Sequence, residues 1–399
     1  MPFNTYSNLM KGGIILPIKQ LAYITERNNN VTVLDISNNT VIANIPVGLN
    51  AAGIAFTPDK SRAYVTNADW GNVSIIDTKS NTVIKTIGVG NGCEGVVITP
   101  DGTRAYVANG RSSTVSVIDT ANNLVINTIS VGNEPLDFAI TSDGTRIYVS
   151  NRQSDNVSVI AGNTVVDSIP VQGGPFGIAI SPDGNRIYVT SFWAAKVSVI
   201  DLINKNILAT IPVGSGPVGI AFTPDRARAY VTNYYSNTVS VIDMLRNIVI
   251  NTMAVGTNPV GIAIVPDGTR AYVLNRISNN ISVIDITSNT IISTIAVGSN
   301  PYAIAILVEL SPQEEIQLMT DKVIAILNAG MLSQKEGKKL ISELNKVIEE
   351  IVKGNNKSAI KKLQSFINEV YSFIQTWRLP SKVGQELIDA TNRVINGLS

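Results

Sequence analysis

A repeat with a period of about 42 residues dominates the chain from its N-terminal part to residue 300. The tyrosine of an AYVT-like segment recurs at spacings of 40 to 42 residues, at Tyr23, Tyr64, Tyr106, Tyr148, Tyr188, Tyr230 and Tyr272. Repeats of this length form arrays in which each unit buries its apolar surface against its neighbours. The fold is therefore expected to contain seven copies of one structural unit.

Each unit contains four short β-rich segments. In residues 259–300 they are VGIAI, RAYVL, NISVIDI and TIISTIAV, separated by turn sequences rich in Gly, Asn and Asp. Four antiparallel strands per unit, without intervening helices, predict a mainly β fold, a seven-bladed β-propeller. The first strand has the smallest side chains, so it is expected nearest the crowded axis; its recurring glycines are Gly53, Gly95, Gly177, Gly219 and Gly261.

The repeat begins an eighth time but stops after one strand. The segment PYAIAILVEL at 301–310 reproduces the start of a unit, whereas the first unit lacks a good match to this strand. We therefore predict that residues 302–308 form the inner strand of blade 1, beside residues 21–47, and close the ring. Closure removes the open sheet edges that promote aggregation. The segment GGIILP at 12–17 is the alternative occupant of the same position.

After Leu310 the apolar period changes from 2 to 3.6 residues, which predicts helices. Capping boxes begin at Ser311 and Ser333, and Gly330, Gly354 and Gly397 are expected to end helices. The predicted helices are 312–328, 334–353, 357–377 and 381–396. A shift of 47 residues aligns 323–348 with 370–395, which indicates two copies of one helical hairpin. We expect a propeller domain at 1–310 and a small four-helix α domain at 311–399.

The composition argues against several classes of function. The chain has no histidine, which is the commonest general base and transition-metal ligand, and its only cysteine, Cys93, therefore has no histidine to activate it. The 31 basic and 30 acidic residues form no basic stripe, so nucleic acid is not an expected partner. The apolar run Ile14–Ile18 is too short for a signal peptide or a membrane span. We expect no catalytic residue, no metal, no cofactor and no membrane insertion.

Several acidic residues recur at the same position in successive units. Because the scaffold repeats them, we interpret them as turn residues, in ion pairs with the following arginine, and not as catalytic acids. They are Asp101 with Arg104, Asp183 with Arg186 and Asp267 with Arg270, together with Asp119 and Asp243 of the SVID segments.

Positions that differ between units are better candidates for function. Because strand directions alternate, the loops between second and third strands share one face with the loops that lead into the inner strands. Aromatic and arginine side chains on one face are typical of recognition surfaces, although they could also simply fill the loop layer. The candidate partner-binding residues are Trp70, Phe176, Phe192, Trp193, Tyr234, Tyr235, Arg111, Arg152 and Arg276, with Tyr302 and the acids Glu94, Glu134 and Asp137 nearby.

The repeats also carry a family resemblance. AYVTN at 63–67 and 229–233, and TPDGTRAYVAN at 99–109, resemble the YVTN β-propeller repeats of surface-layer and other envelope proteins of archaea and bacteria. The resemblance covers residues 21–306 and implies a seven-bladed propeller in an envelope or extracellular setting. The helical tail is similar to the FIMAH-type module at the ends of secreted bacterial multidomain proteins, through Gly354-Asn355, Ala359, Leu363, Phe366-Ile367 and Val370.

The leading hypothesis is therefore a non-enzymatic envelope or extracellular scaffold that binds a protein or glycan through one propeller face. The first alternative is structural assembly into a coat or surface lattice. The second is a propeller hydrolase such as a lactonase, which would need several acids facing the axis to bind a metal ion. The inner strands provide only Glu94 and Asp137 for that purpose.

Overall fold

The computed structural model describes residues 19–398 and confirms a mainly β chain with seven four-stranded antiparallel sheets and four C-terminal helices. Each sheet is one blade, and its strands follow the chain order from the inside outwards, except in blade 1. In blade 1, β28 (Pro301–Glu309) lies innermost, next to β1 (Lys19–Glu26), β2 (Asn30–Asp35) and β3 (Thr40–Pro46).

Blades 2 to 4 contain β4 (Ala51–Phe56), β5 (Arg62–Asn67), β6 (Asn72–Asp77), β7 (Thr82–Gly88), β8 (Cys93–Ile98), β9 (Arg104–Asn109), β10 (Thr114–Asp119), β11 (Leu124–Ser130), β12 (Pro135–Ile140), β13 (Ile147–Asn151), β14 (Asn156–Ala161) and β15 (Thr164–Pro170). Blades 5 to 7 contain β16 (Pro175–Ile180), β17 (Arg186–Ser191), β18 (Lys196–Asp201), β19 (Ile207–Pro212), β20 (Pro217–Phe222), β21 (Arg228–Asn233), β22 (Thr238–Asp243), β23 (Ile248–Ala254), β24 (Pro259–Ile264), β25 (Arg270–Asn275), β26 (Asn280–Asp285) and β27 (Thr290–Ala296).

Ring closure follows the prediction from the repeat. The innermost place in blade 1 belongs to β28, so the first and last parts of the propeller sequence share one sheet. The alternative segment at 12–17 lies outside the described residues. Gln20–Leu307 form one compact unit, and the chain from Val308 onward belongs to a second.

Glycine is needed at one position of the inner strands of blades 2, 3, 5, 6 and 7, because the backbone of the next blade approaches very closely there. A Cβ atom added to Gly177 would lie 2.1 Å from the carbonyl oxygen of Val218 in the next blade, and one added to Gly53 would lie 2.5 Å from that of Glu94. No side chain fits at these distances. The small first strand therefore lies nearest the axis, as its composition predicts.

A hydroxyl from the second strand connects neighbouring inner strands in five blades. Thr190 Oγ1 accepts a hydrogen bond from the Gly177 amide at 2.8 Å and donates to the Val218 carbonyl of the next blade at 2.9 Å. Each hydroxyl thus satisfies backbone groups in two blades where water has little access. The equivalent residues are Thr25, Thr66, Ser150 and Thr232.

The repeated tyrosines stabilise contacts between blades. Tyr64 and Tyr230 are fully buried, and their hydroxyls donate to the amide oxygens of Asn123 at 2.6 Å and Asn289 at 2.5 Å. Both asparagines have φ near +55° in turns of the next blade, a conformation that Asn tolerates better than most residues. The same pair occurs at Tyr23 with Asn81 and at Tyr272 with Asn39, whereas the Tyr106 hydroxyl donates to the Gly162 carbonyl.

The repeated aspartates hold turns, as expected, but the expected ion pairs are absent. Asp101 accepts hydrogen bonds from Thr99 Oγ1 at 2.5 Å and from the Thr103 amide at 3.0 Å, and these bonds help to lower the pKa of its carboxyl group despite partial burial. Within the described chain, no Asp101–Arg104, Asp183–Arg186 or Asp267–Arg270 pair comes within 4.0 Å. Hydrogen bonds within the turn explain why aspartate recurs here, because each carboxylate accepts from the backbone amide two residues further along the chain. Asp119 and Asp243 accept backbone hydrogen bonds in the same way.

The C-terminal unit contains α1 (Pro312–Asn328), α2 (Gln334–Val352), α3 (Asn356–Gln375) and α4 (Ser381–Leu398). Both predicted capping boxes are present, at Ser311 with Glu314 and at Ser333 with Glu336. The predicted stop at Gly397 is wrong, because α4 continues to Leu398. Packing of the apolar faces overrides the low helix propensity of glycine near a helix end. None of the helices in this described part is long and apolar enough to cross a membrane.

Truncation tests the role of β28. A chain that ends at Asn300 lacks the inner strand of blade 1, and Ile304 and Ile306, which pack against the core between blades 7 and 1, are lost with it. Losing these side chains and Leu307 removes roughly 5–9 kcal/mol of apolar burial, comparable to the net stability of a domain. We expect the chain ending at Asn300 to be insoluble or to melt without a cooperative transition, whereas the chain ending at Leu310 melts sharply. Equally sharp melting of both, followed by circular dichroism, contradicts this role.

Candidate functional site

The candidate residues lie on one face of the propeller, here called the loop face. It consists of the loops between second and third strands and the loops that lead into the inner strands. Backbone hydrogen bonds join the two loops of each blade: the Phe192 amide donates to the Gly174 carbonyl at 2.9 Å, and the Tyr234 amide to the Gly216 carbonyl at 2.8 Å. The expected grouping of these loops is thus present.

Five aromatic residues from blades 5 and 6 come together on this face, and we call them the aromatic cluster. Ring centroids are 5.7 Å apart for Phe176 and Phe192, 5.4 Å for Phe192 and Tyr235, and 5.1 Å for Tyr234 and Tyr235. These distances are typical of aromatic pairs that stabilise each other. Among the described residues Trp193 makes no ring contact with these four; we include it because Arg152 lies beside both its ring and the ring of Phe176.

Glycines in the neighbouring loops make room for the exposed rings. A Cβ atom on Gly174 would lie 2.5 Å from the ring of Trp193, and one on Gly216 would lie 2.8 Å from the ring of Tyr235. Both glycines also have positive φ, at 70° and 67°. The rings therefore pack against the backbone of these glycines, and their outer faces remain exposed to solvent.

The aromatic cluster exposes large apolar area to solvent. Trp193 is 60% exposed and Tyr235 is 61% exposed, whereas Phe176, Phe192 and Tyr234 are partly buried beneath them. Trp70 of blade 2 is also 58% exposed, but in the described part of the chain neither a ring contact nor a shared arginine connects it to the cluster. The predicted aromatic residues thus divide into one cluster and one separate tryptophan.

The three candidate arginines occupy different environments. Arg152 forms an ion pair with Glu134, and its guanidinium carbon lies 5.8 Å from the ring centroids of both Phe176 and Trp193. Arg111 is mostly exposed and pairs with Asp69 at 3.3 Å. The Nε atom of Arg276 is buried and has no hydrogen-bond partner among the described residues. Arg152 is therefore the one that adjoins the aromatic cluster.

A partly buried polar group lies where the inner strands of blades 1 and 3 begin. Arg27 donates to Glu94 at 2.7 Å and to Asn50 at 2.8 Å, and its guanidinium carbon lies 3.7 Å from the centroid of the Tyr302 ring. Burial and the nearby Glu94 raise the pKa of Tyr302 to about 12, although Arg27 acts in the opposite direction. Arg27 was not among the residues predicted from the sequence, although it holds the same loop position as Arg152 and Arg276.

A pocket of about 510 Å³ opens on the loop face over blades 3 and 4. Its volume is in the range of small-molecule sites. Its side chains are mostly polar. Glu94, Glu134 and Arg111 were predicted from the sequence, whereas the uncharged lining residues were not. The lining residues are Gly92, Glu94, Gly110, Arg111, Ser113, Asn133, Glu134, Leu136 and Gln153.

Asp137 takes the place of the inner-strand glycine in blade 4. Its carboxylate accepts hydrogen bonds from the amides of Phe138 at 2.8 Å and Ile178 at 3.2 Å. Burial nevertheless raises the pKa of Asp137 to about 6. It therefore joins blade 4 to blade 5 and carries a charge at neutral pH that its surroundings disfavour.

The remaining candidates for catalysis or metal binding are Cys93 and the acidic residues. Cys93 is buried, its thiol donates to the Asn67 carbonyl at 3.2 Å, and burial raises its pKa to about 12. Cys93 is thus a protonated thiol at neutral pH. Among residues 19–398 whose side chains are described, no three Cys, Asp or Glu residues lie close enough together to hold a metal ion.

Comparison with family models confirms the propeller. Residues 128–227 and 220–312 match the family described as "YNCE-like beta-propeller". Residues 17–168 match the family described as "Lactonase, 7-bladed beta-propeller". Each match covers less than half of the chain, and both describe the architecture seen here. No curated protein matches the sequence.

Solved structures share the same architecture. Hydrazine synthase from Kuenenia stuttgartiensis is 23% identical with a TM-score of 0.61, over 69% of this chain and 98% of the other. A functionally unknown protein from Desulfotomaculum acetoxidans is 19% identical with a TM-score of 0.64, over 72% and 98%. Dihydro-heme d1 dehydrogenase NirN is 17% identical with a TM-score of 0.57, over 73% and 76%. At these identities the similarity establishes the fold alone.

The raised pKa of Asp137 predicts a pH dependence of stability. Since the folded-state pKa lies above that of the unfolded chain, the folded protein binds the proton more tightly. Proton binding by Asp137 therefore stabilises the folded protein at low pH. This contribution to the unfolding free energy, at most about 3 kcal/mol, is lost as the pH rises through about 6. Asp137→Asn cannot ionise, so the unfolding free energy of this variant should lack that loss when both proteins are denatured in urea from about pH 4 to about pH 7. Parallel pH profiles of the two proteins contradict the assignment.

Proposed function

We propose that this protein is a non-enzymatic binding scaffold whose loop face captures a partner, and that a saccharide is the best-supported class of partner. The observation that carries this proposal is the position of the aromatic cluster next to the polar pocket. Arg152 connects the two, because it pairs with Glu134 of the pocket and adjoins Trp193 and Phe176 of the cluster.

The charges around the pocket balance. Glu94 pairs with Arg27, Glu134 with Arg152, and Arg111 with Asp69. Each charged group that lines the pocket therefore has an opposite charge beside it, and an ionic ligand would have to compete with these pairs. The balance favours a neutral, polar ligand over a cation or an anion.

The remaining groups suit the hydroxyls and C–H faces of a sugar. Ser113, Asn133 and Gln153 provide both hydrogen-bond donors and acceptors at the pocket. Trp193 and Tyr235 offer exposed ring faces against which the C–H face of a sugar can pack. A chain of sugar residues that reaches from the pocket to the cluster would use both surfaces. A protein partner with an exposed polar loop is the alternative use of the same face.

The proposed setting is the cell envelope or the extracellular space. The YVTN-type segments, such as AYVTN at 63–67 and 229–233, support it, as does the similarity of the tail to FIMAH-type modules. The helical unit would then serve as a spacer or attachment module. Assembly into a coat or lattice is the alternative role in this setting, and it is favoured by outer strands that leave Ile84, Ile126 and Ile292 about half exposed.

Variants of the aromatic cluster test the saccharide proposal. We expect the purified protein to bind neutral oligosaccharides on a glycan array, and Trp193→Ala together with Tyr235→Ala to weaken this binding about tenfold or more. The melting temperature should change little, because both side chains are mostly exposed. Tyr371→Ala removes an exposed ring of the helical unit and serves as the control.

Salt provides a second criterion for this site. Binding of a neutral saccharide should be nearly independent of ionic strength, since no new ion pair forms on binding. Binding that disappears at high salt, or that survives in the double variant, contradicts the proposed site. Absence of any oligosaccharide ligand together with capture of a purified envelope protein would replace the saccharide with a protein partner.

A lactone hydrolase is the second candidate, because residues 17–168 match the lactonase propeller family. Its chemistry would need to involve acids such as Glu94 and Asp137, which pair with Arg27 and with backbone amides in this structure. If this candidate is correct, the purified protein should contain a stoichiometric metal ion by elemental analysis and should hydrolyse simple lactones. We expect neither result, and a positive result in both would overturn the binding proposal.

A further inference from the structure

Three helices of the C-terminal unit end in the same way. At the end of α1, the Gly330 amide donates to the Leu327 carbonyl and the Met331 amide donates to the Ile326 carbonyl. The same pair of hydrogen bonds ends α2 at Gly354 and α3 at Trp377. This pattern is the Schellman motif, which requires a left-handed residue after the helix cap.

The residue at the left-handed position differs in the third case. Gly330 and Gly354 have φ of 71° and 76°, and Trp377 has φ of 58°. Glycine adopts this conformation without steric cost, but a bulky L-residue does not. The two helical hairpins align with a shift of 47 residues, which places Trp377 opposite Gly330. The second hairpin therefore carries a strained tryptophan where the first carries an unstrained glycine.

The fold gains no packing from this tryptophan. Trp377 is 95% exposed, and among the described residues its ring takes part in no aromatic or cation–π contact. A residue that costs backbone strain and buries nothing within its own chain is expected to serve a contact outside it. The helical unit is therefore expected to use Trp377 for recognition.

The surroundings of Trp377 form one end of the bundle, here called the hairpin tip. It consists of residues 329–338 and 376–385, the two loops with the first turns of α2 and α4. Arg378 donates to Glu336 at 2.6 Å, which joins the two loops, and Met331 adds a second exposed apolar side chain. The tip contains four basic residues and one acidic residue, Glu336, whose charge is already paired with Arg378.

We propose that the hairpin tip docks on an anionic lipid surface, with Trp377 in the headgroup region and basic residues such as Lys335 and Lys338 over the anionic headgroups. Tryptophan prefers the interface between water and lipid because its ring is apolar and its N–H is polar. Each lysine near an anionic surface adds to the attraction, and all such contributions weaken with salt. The contact is peripheral, since only side chains of the tip enter the headgroup region, and it is independent of the saccharide site.

Two substitutions at residue 377 separate recognition from stability. Trp377→Gly removes both the ring and the strain, whereas Trp377→Ala removes the ring but keeps a Cβ at positive φ. We expect both variants of the full-length chain to bind phosphatidylglycerol-containing vesicles about tenfold more weakly in co-sedimentation. Trp377→Gly should also raise the midpoint of helix melting by about 4 to 8 °C. The alanine variant should melt close to the unchanged protein.

Further variants test the chemistry of the surface. Lys335→Gln should weaken vesicle binding about fivefold, and vesicles of phosphatidylcholine alone should bind poorly. Val352→Ala changes a side chain that is 71% exposed at the other end of α2 and should leave binding unchanged. Absence of vesicle binding, or equal binding by the Trp377→Gly variant or by neutral vesicles, overturns the proposal and points to a protein partner for the tip.

Discussion

The propeller depends on the close approach of neighbouring inner strands around its axis. At Gly177 the backbone of the next blade leaves no room even for a Cβ atom, and the hydroxyl of Thr190 joins the two strands there. This spacing sets how tightly seven blades can close into a ring, and β28 completes the ring because it carries the same small residues. Because a Cβ atom has no room at the glycine position, the large side chains of the inner strands that reach the loop face, Glu94, Phe176 and Tyr302, stand one position earlier.

The candidate site forms where individual blades depart from this repeat. Asp137 replaces the inner-strand glycine, and burial raises the pKa of its carboxyl group. Glu94 and Tyr302 stand one position earlier in their strands, where Val218 and Val260 occupy the equivalent place in blades 6 and 7. The scaffold requires none of these departures, and together they build the polar side of the loop face.

The aromatic positions on the loop face could be predicted because they vary between units whose other residues repeat. Their grouping could not, because it depends on which blades adjoin and on the direction of each side chain. Trp70 and Trp193 look alike in sequence, yet only Trp193 joins the cluster, where Gly174 leaves space for its ring. Arg27 was missed because nothing in its local sequence indicates Glu94, which lies 67 residues further along the chain.

The number of blades, the strand order, the closing strand and the capped helices could be predicted from the residues alone, because these features follow from local periodicity and turn chemistry. The charge pairs between blades and the contacts between aromatic rings emerged only in the folded chain, because these contacts depend on distances around a closed ring. The same division holds in the helical unit. Alignment of the hairpins places Trp377 opposite Gly330, but only the backbone dihedral angles and the exposure of the ring show that this tryptophan is strained and unburied.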